Sequence, residues 1–100
     1  VSPLPVRVLA TARRQLRDVA VWWRDNREKA PGAVEQDFEE AKELLSHQPL
    51  IGLVISTGRL KGVRRIHLQR IGYYLYYRVA RQSVEIIRIW HVRRGKPPRL

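Results

Sequence analysis

Cysteine and methionine are absent from the 100-residue chain, phenylalanine occurs once, and nine Asp plus Glu face 20 Lys plus Arg, a formal net charge of +11. Without cysteine there is no disulfide framework, no thiolate zinc site and no thiol nucleophile. Long hydrophobic runs are missing too. Leu50-Ile51-Gly52-Leu53-Val54-Ile55 falls far short of the roughly 20 residues that span a bilayer. Arg7, Arg13 and Arg14 interrupt any N-terminal apolar stretch of the signal-peptide kind. The expectation is a soluble cytoplasmic chain that crosses no membrane. His47, His67 and His91 have no metal-ligand spacing, and all carboxylates but Asp18 and Glu85 lie between Asp25 and Glu43. No metal, no cofactor and no paired-carboxylate centre is expected. Neither G-x-S-x-G nor a phosphate-binding G-x-x-x-x-G-K-[ST] occurs.

What is present is a folding sequence. Apolar residues make up 44% of the chain, and the length suits one domain spanning residues 1–100. Val6, Val8 and Leu9 predict a short opening strand. From Thr11, a suitable N-cap, Leu16, Val19, Ala20 and Trp23 recur at helical spacing, with Trp22 at the border of the stripe. Pro31 disfavours helix at Ala30 and suits the first turn of a second helix. In that second helix Val34, Phe38, Ala41 and Leu45 form one narrow apolar stripe. The two helices predict an antiparallel hairpin.

A loop is expected from Gln48 to about Lys61, turning at Gly58 and Gly62. Three strands then follow over Val63–Gln69, Tyr73–Ala80 and Val84–Val92, and their short connections imply an antiparallel meander. The fold class is therefore α+β: an N-terminal strand and a helical hairpin packed on a sheet of three C-terminal strands. Strict alternation sends Ile66, Leu68, Leu75, Ile87 and Ile89 to the helices. It leaves Arg65, His67, Tyr74, Tyr76, Arg78, Arg88 and Trp90 on an open face, and Val84 and Ile86 join Trp90 there. An apolar strand surface with no second helical layer calls for a cover.

Charge is segregated as well. Residues 31–48 hold five carboxylates and one lysine, whereas residues 59–99 hold 12 basic residues and the single Glu85. Arginines and aromatic rings on one face suit phosphates and stacked bases, or equally an ordinary solvated strand face. His91-Val92-Arg93-Arg94 closes the last strand. An imidazole beside arginines can move a proton and hold an anion, or simply finish a strand.

The order of these elements resembles the RelE/ParE superfamily, the toxins of bacterial type II toxin–antitoxin systems. The resemblance is carried by Ala12 to Trp23, the Pro49-x-x-Gly52 break, Gly62-Val63-Arg64-Arg65, Tyr76-Tyr77-Arg78-Val79 and Ile86-Ile87-Arg88-Ile89-Trp90-His91-Val92-Arg93-Arg94. It implies a growth-arresting toxin in a hetero-oligomer with an acidic antitoxin. The ParE-like branch acts on DNA gyrase; the RelE-like branch cleaves mRNA on the ribosome; an inactive homologue would bind only its antitoxin. For a gyrase inhibitor the resemblance implies target contacts at Arg64, Arg65, Arg78, Arg88, His91, Arg93 and Arg94. For a nuclease it implies a metal-free site of His91, Lys61, Arg65, Arg78 and Arg88. Tyr74, Tyr76 and Trp90 are the expected antitoxin contacts. No Tyr or Phe follows His91, where many nucleases of the superfamily carry one, and this favours the ParE-like branch.

Overall fold

The computed structural model describes residues 2–56 and 59–100; the expected turn at Gly58 lies outside them. Seven elements follow one another: β1 (Val6–Val8), α1 (Ala10–Asn26), α2 (Ala33–His47), β2 (Leu53–Val54), β3 (Val63–Leu68), β4 (Tyr73–Val79) and β5 (Val84–His91). The strands form one sheet in the order β1-β5-β4-β3-β2. β1 runs parallel to β5, and the remaining pairs are antiparallel. The α+β architecture is as expected, but the sheet has five strands. β2 escapes the sequence reading because Leu53 and Val54 are both exposed, so no alternation betrays it. No helix of the described residues is long and apolar enough to cross a membrane.

The helices pack on one sheet face. Ala12, Phe38, Ala41 and Leu45 meet Leu75, Tyr77, Val84, Ile86 and Ile89 in the main core, and Leu16 joins from its border. Val19, Ala20 and Trp23 close a smaller cluster around Ala33, Val34 and Ile71. The Trp23 indole donates to the Ala30 carbonyl (2.8 Å) and so ties the hairpin connection to α1. The expected N-cap is corrected. α1 begins after Leu9 rather than Thr11, because the Leu9 amide still donates to Ile86 (3.0 Å) and the chain passes from sheet pairing straight into helix.

A second correction concerns β5. The register shifts between Tyr76 and Tyr77, which pair with Arg88 and Ile86, so Ile87 is an extra residue in β5. Val84, Ile86 and Ile89 therefore face the helices. Ile87 turns to the other side with Val63 and Tyr76. A bulge of this kind resets which side chains face which way. That second cluster is covered within the chain itself. Leu9, Ile55, Leu60 and Leu100 pack on it, and the Trp90 indole holds the tail by donating to the Lys96 carbonyl (2.8 Å).

Among the described glycines, Gly52 has the closest neighbours. A Cβ there would lie 2.5 Å from the Tyr77 hydroxyl. That hydroxyl accepts from the Gly52 amide (2.8 Å) and donates to the Pro49 carbonyl (2.8 Å), which fixes the break after α2. Tyr77→Phe leaves both backbone groups unpaired, and we expect it to cost about 1–3 kcal/mol in urea unfolding. Burial pushes the Tyr77 hydroxyl above its ordinary 10.0, against the opposing pull of the Gly52 hydrogen bond and Arg64. The folded state thus keeps a proton that the unfolded chain releases. Its contribution to stability is complete below pH 10.0 and is lost as pH rises through the raised folded value. The alkaline loss of stability is expected to be shallower in Tyr77→Phe than in the parent.

Candidate functional site

The register lays the open face out in three cross-strand rows. Arg7, Glu85, Arg78 and Val63 form the first; Arg88, Tyr76 and Arg65 the second; Trp90, Tyr74 and His67 the third. All seven side chains expected on this face are there. Neighbouring strands lie about 4.8 Å apart, so Arg65 and Arg88 flank Tyr76 with backbones about 10 Å from each other.

Most of these side chains already have partners. Glu85 is 9% exposed. It accepts from Arg78 Nε (2.9 Å) and Arg7 Nη1 (3.3 Å), so its charge is shared between two arginines. Arg65 lies over the Tyr74 ring at 4.0 Å and donates to the Tyr76 hydroxyl at 3.5 Å. Tyr74 also packs on His67, ring to ring at 5.2 Å. Arg88 donates to the Ile87 carbonyl (2.9 Å). Arg94 covers the Trp90 ring at 4.2 Å. Arg64 donates to the Leu50 and Gly52 carbonyls (3.0 and 2.8 Å). Among the expected antitoxin contacts, Tyr76 is 1% exposed and presents no surface of its own; Tyr74 and Trp90 remain partly exposed.

His91 does not join this face. It pairs with Tyr73 on the helix side of the sheet, ring edge to ring face at 4.9 Å. Its Nδ1 accepts from the Arg93 amide (3.0 Å), so the neutral ring carries its proton on Nε2. Lys61 is exposed in the turn before β3, beside the Val63–Arg78 pair. His91 stands at the Tyr73 end of the same ladder, roughly 17 Å along the strand and across the sheet. The expected constellation of His91, Lys61, Arg65, Arg78 and Arg88 is thus split between two faces and two ends. Among the described residues no group of three or more His, Asp or Glu is placed to hold a metal.

Sequence reasoning missed two features. Glu85 organises the first row, and the signal was its position as the single carboxylate among residues 59–99. The second is a groove of about 650 Å³ on the helix side, lined by Trp22, Trp23, Arg27, Tyr73, His91 and Arg93, with the β3–β4 turn as its other wall. That turn is fastened to α2. Arg70 donates to the Asp37 carboxylate and to Gln36 Oε1 (2.8 Å). The Asp37 hydrogen bond holds the Arg70 guanidinium further into its charged range.

Residues 6–95 match the family described as ParE toxin of the type II toxin–antitoxin system, parDE. A comparison with curated proteins gave no match. Among solved structures, the fold is similar to a chain of the chromosomal ParDE toxin–antitoxin system from P. aeruginosa. The TM-score is 0.72 at 25% identity, over 89% of this chain and 96% of that one. It is also similar to a YoeB dimer chain from Staphylococcus aureus, with a TM-score of 0.60 at 13% identity over 90% and 98% of the two chains. The fold and the family match together define a toxin of the RelE/ParE superfamily. The chain belongs to the ParE toxin family.

Glu85 gives the site its most direct test. Glu85→Gln keeps the shape and removes the charge that holds Arg7 and Arg78. Both arginines retain access to solvent, so the expected loss is about 1–2 kcal/mol rather than that of a fully buried pair. Urea unfolding measures it, and Arg7→Ala is expected to cost less than Arg78→Ala because Arg7 is the more exposed partner.

Proposed function

We propose that this toxin arrests growth by binding DNA gyrase rather than by cutting RNA, and that an acidic antitoxin neutralises it. The observation that carries the reading is the separation of proton carriers. Cleavage at a 2′-hydroxyl needs a base, an acid and a charge stabiliser within reach of one phosphate. Here His91 and Lys61 stand at opposite ends of the β3–β4–β5 ladder, and a guanidinium is a poor general acid or base in place of either. Binding makes no such demand. It needs a cationic surface, which Arg88, Arg93 and Arg94 supply around the end of β5, with Arg65 and Arg78 held beside Arg88 on the open face and Arg64 apart from them, tied to the Leu50 and Gly52 carbonyls.

His91→Gln separates the two chemistries. In a supercoiling assay with purified gyrase it is expected to keep inhibition within about threefold of the parent. The charge reversals Arg93→Glu and Arg94→Glu are expected to abolish it together. Cleavage of translated mRNA that vanishes in the His91→Gln protein overturns the reading in favour of a ribosome-dependent nuclease.

The partner's chemistry follows from a second observation. Leu50, Ile51, Leu53 and Val54 are 65%, 49%, 64% and 59% exposed and lie in and just before β2, the edge strand of the sheet. Arg64 is anchored in the same segment. An apolar strip on so basic a chain fits an acidic, amphipathic antitoxin segment, forming the hetero-oligomer that the family implies. Leu53→Asp with Val54→Asp is expected to weaken antitoxin binding at least tenfold by calorimetry while leaving the melting temperature within a few degrees. Undiminished binding by that variant removes the strip from the antitoxin interface.

A further inference from the structure

The groove on the helix side is unlike the rest of the basic surface. Three segments build it: the last turn of α1 with Trp22, Trp23 and Arg27; the β3–β4 turn with Gln69 and Tyr73; and the exit of β5 with His91 and Arg93. Its volume of about 650 Å³ lies in the range of ligand clefts. No carboxylate lines it.

Its aromatic part is prepared for contact. Trp22 is 48% exposed, and its ring is held edge-on to Trp23 with centroids 6.3 Å apart. Arg27 stacks on both rings, at 5.2 and 5.7 Å. The negative end of the helix is already occupied, because the Trp22 carbonyl accepts from Asn26 Nδ2 and the Trp23 carbonyl from the Arg27 amide, both at 2.8 Å. Arg27 and Arg93 make no ion pair among the described residues. Arg70, in contrast, is committed to Asp37 and Gln36 and keeps the opposite wall rigid. His91 contributes Nε2–H as a donor, since its Nδ1 is filled by the Arg93 amide.

We propose that this groove binds an unpaired nucleotide of a single-stranded nucleic acid, its base against Trp22 and its phosphates at Arg27 and Arg93. A half-exposed indole with cations beside it favours a flat, uncharged ring joined to a negatively charged group, as a base is to its phosphate. An acidic peptide satisfies the cations equally well but leaves the indole without a matching ring. The groove lies on the opposite side of the sheet from Arg65, Arg78 and Arg88. Arg93, at the exit of β5, borders both surfaces, so the test rests on Trp22 and Arg27, which belong to the groove and not to the open face.

The test uses the full chain and a fluorescein-labelled 12-nucleotide oligo(dT), with binding read by anisotropy at 0.15 M salt and no gyrase in the assay. Trp22→Ala is expected to weaken binding between about five- and a hundredfold, the range of a lost base–aromatic stack. Arg27→Glu is a second groove variant, on an exposed side chain whose replacement leaves the core untouched. Arg14→Glu, the same charge change on the outer surface of α1, controls for net charge. Arg27→Glu is expected to weaken binding at least fivefold more than Arg14→Glu. Equal effects of the two reversals, or unchanged binding by a folded Trp22→Ala protein, overturn the proposal. A poly-glutamate peptide whose binding falls as far as that of oligo(dT) in Trp22→Ala also overturns it and assigns the groove to an acidic protein segment.

Discussion

One extra residue in β5 decides what each face of the sheet carries. Glu85 and Arg88 are three apart, and a regular strand would send them to opposite faces, one of them under the helices. An unpaired carboxylate or guanidinium in that apolar core would cost several kcal/mol. The bulge at Ile87 removes the conflict. It puts Glu85 and Arg88 on the same side, frees Val84, Ile86 and Ile89 for the core, and sends Ile87 to the second cluster. The Arg7–Glu85–Arg78 row exists only because of that shift. β1 then lies beside β5 in parallel, so that Arg7 reaches the same carboxylate.

The doublet Ile86-Ile87 was the legible sign of this bulge, since two consecutive apolar residues between charges break period two. Alternation counted back from the strand end placed Arg88 and Trp90 correctly and failed for Val84, Ile86 and Ile87, all on or before the bulge. The helices were legible because their stripes are unambiguous; Val34, Phe38, Ala41 and Leu45 are all buried. β2 was not, because its pairing rests on backbone hydrogen bonds and its two side chains are both exposed. The separation of His91 from the arginines of the open face, with which it was grouped, was also missed. The chemistry of single residues was readable; their convergence depends on register.

A +11 chain must also manage its own repulsion, and the structure shows how far it does so internally. Carboxylates are too few to neutralise every cation, so several arginines are held by carbonyls and rings instead. Arg64 binds the Leu50 and Gly52 carbonyls, Arg65 lies on Tyr74, Arg94 on Trp90, and Arg27 on the two tryptophans. Such contacts fix the position of a guanidinium without cancelling its charge. The result is a set of cations fixed in place yet electrostatically unspent, which reduces the ordering cost when an anionic partner arrives.

The tail completes the same logic on the open face. Residues beyond β5 return across the sheet, with Trp90 holding Lys96 and Leu100 lying on the Val63–Tyr76–Ile87 cluster. The chain thereby supplies the cover that the sequence reading assigned to a partner, and Tyr76 is sealed beneath it. The most exposed apolar side chains are those in and just before β2, Leu50, Leu53 and Val54 among them. A partner gains most where water still touches hydrocarbon, so the stronger hydrophobic contact belongs at that edge rather than over β5. The two surfaces divide the work: the self-covered face keeps its arginines in register, and the uncovered edge offers the area that a second chain can bury.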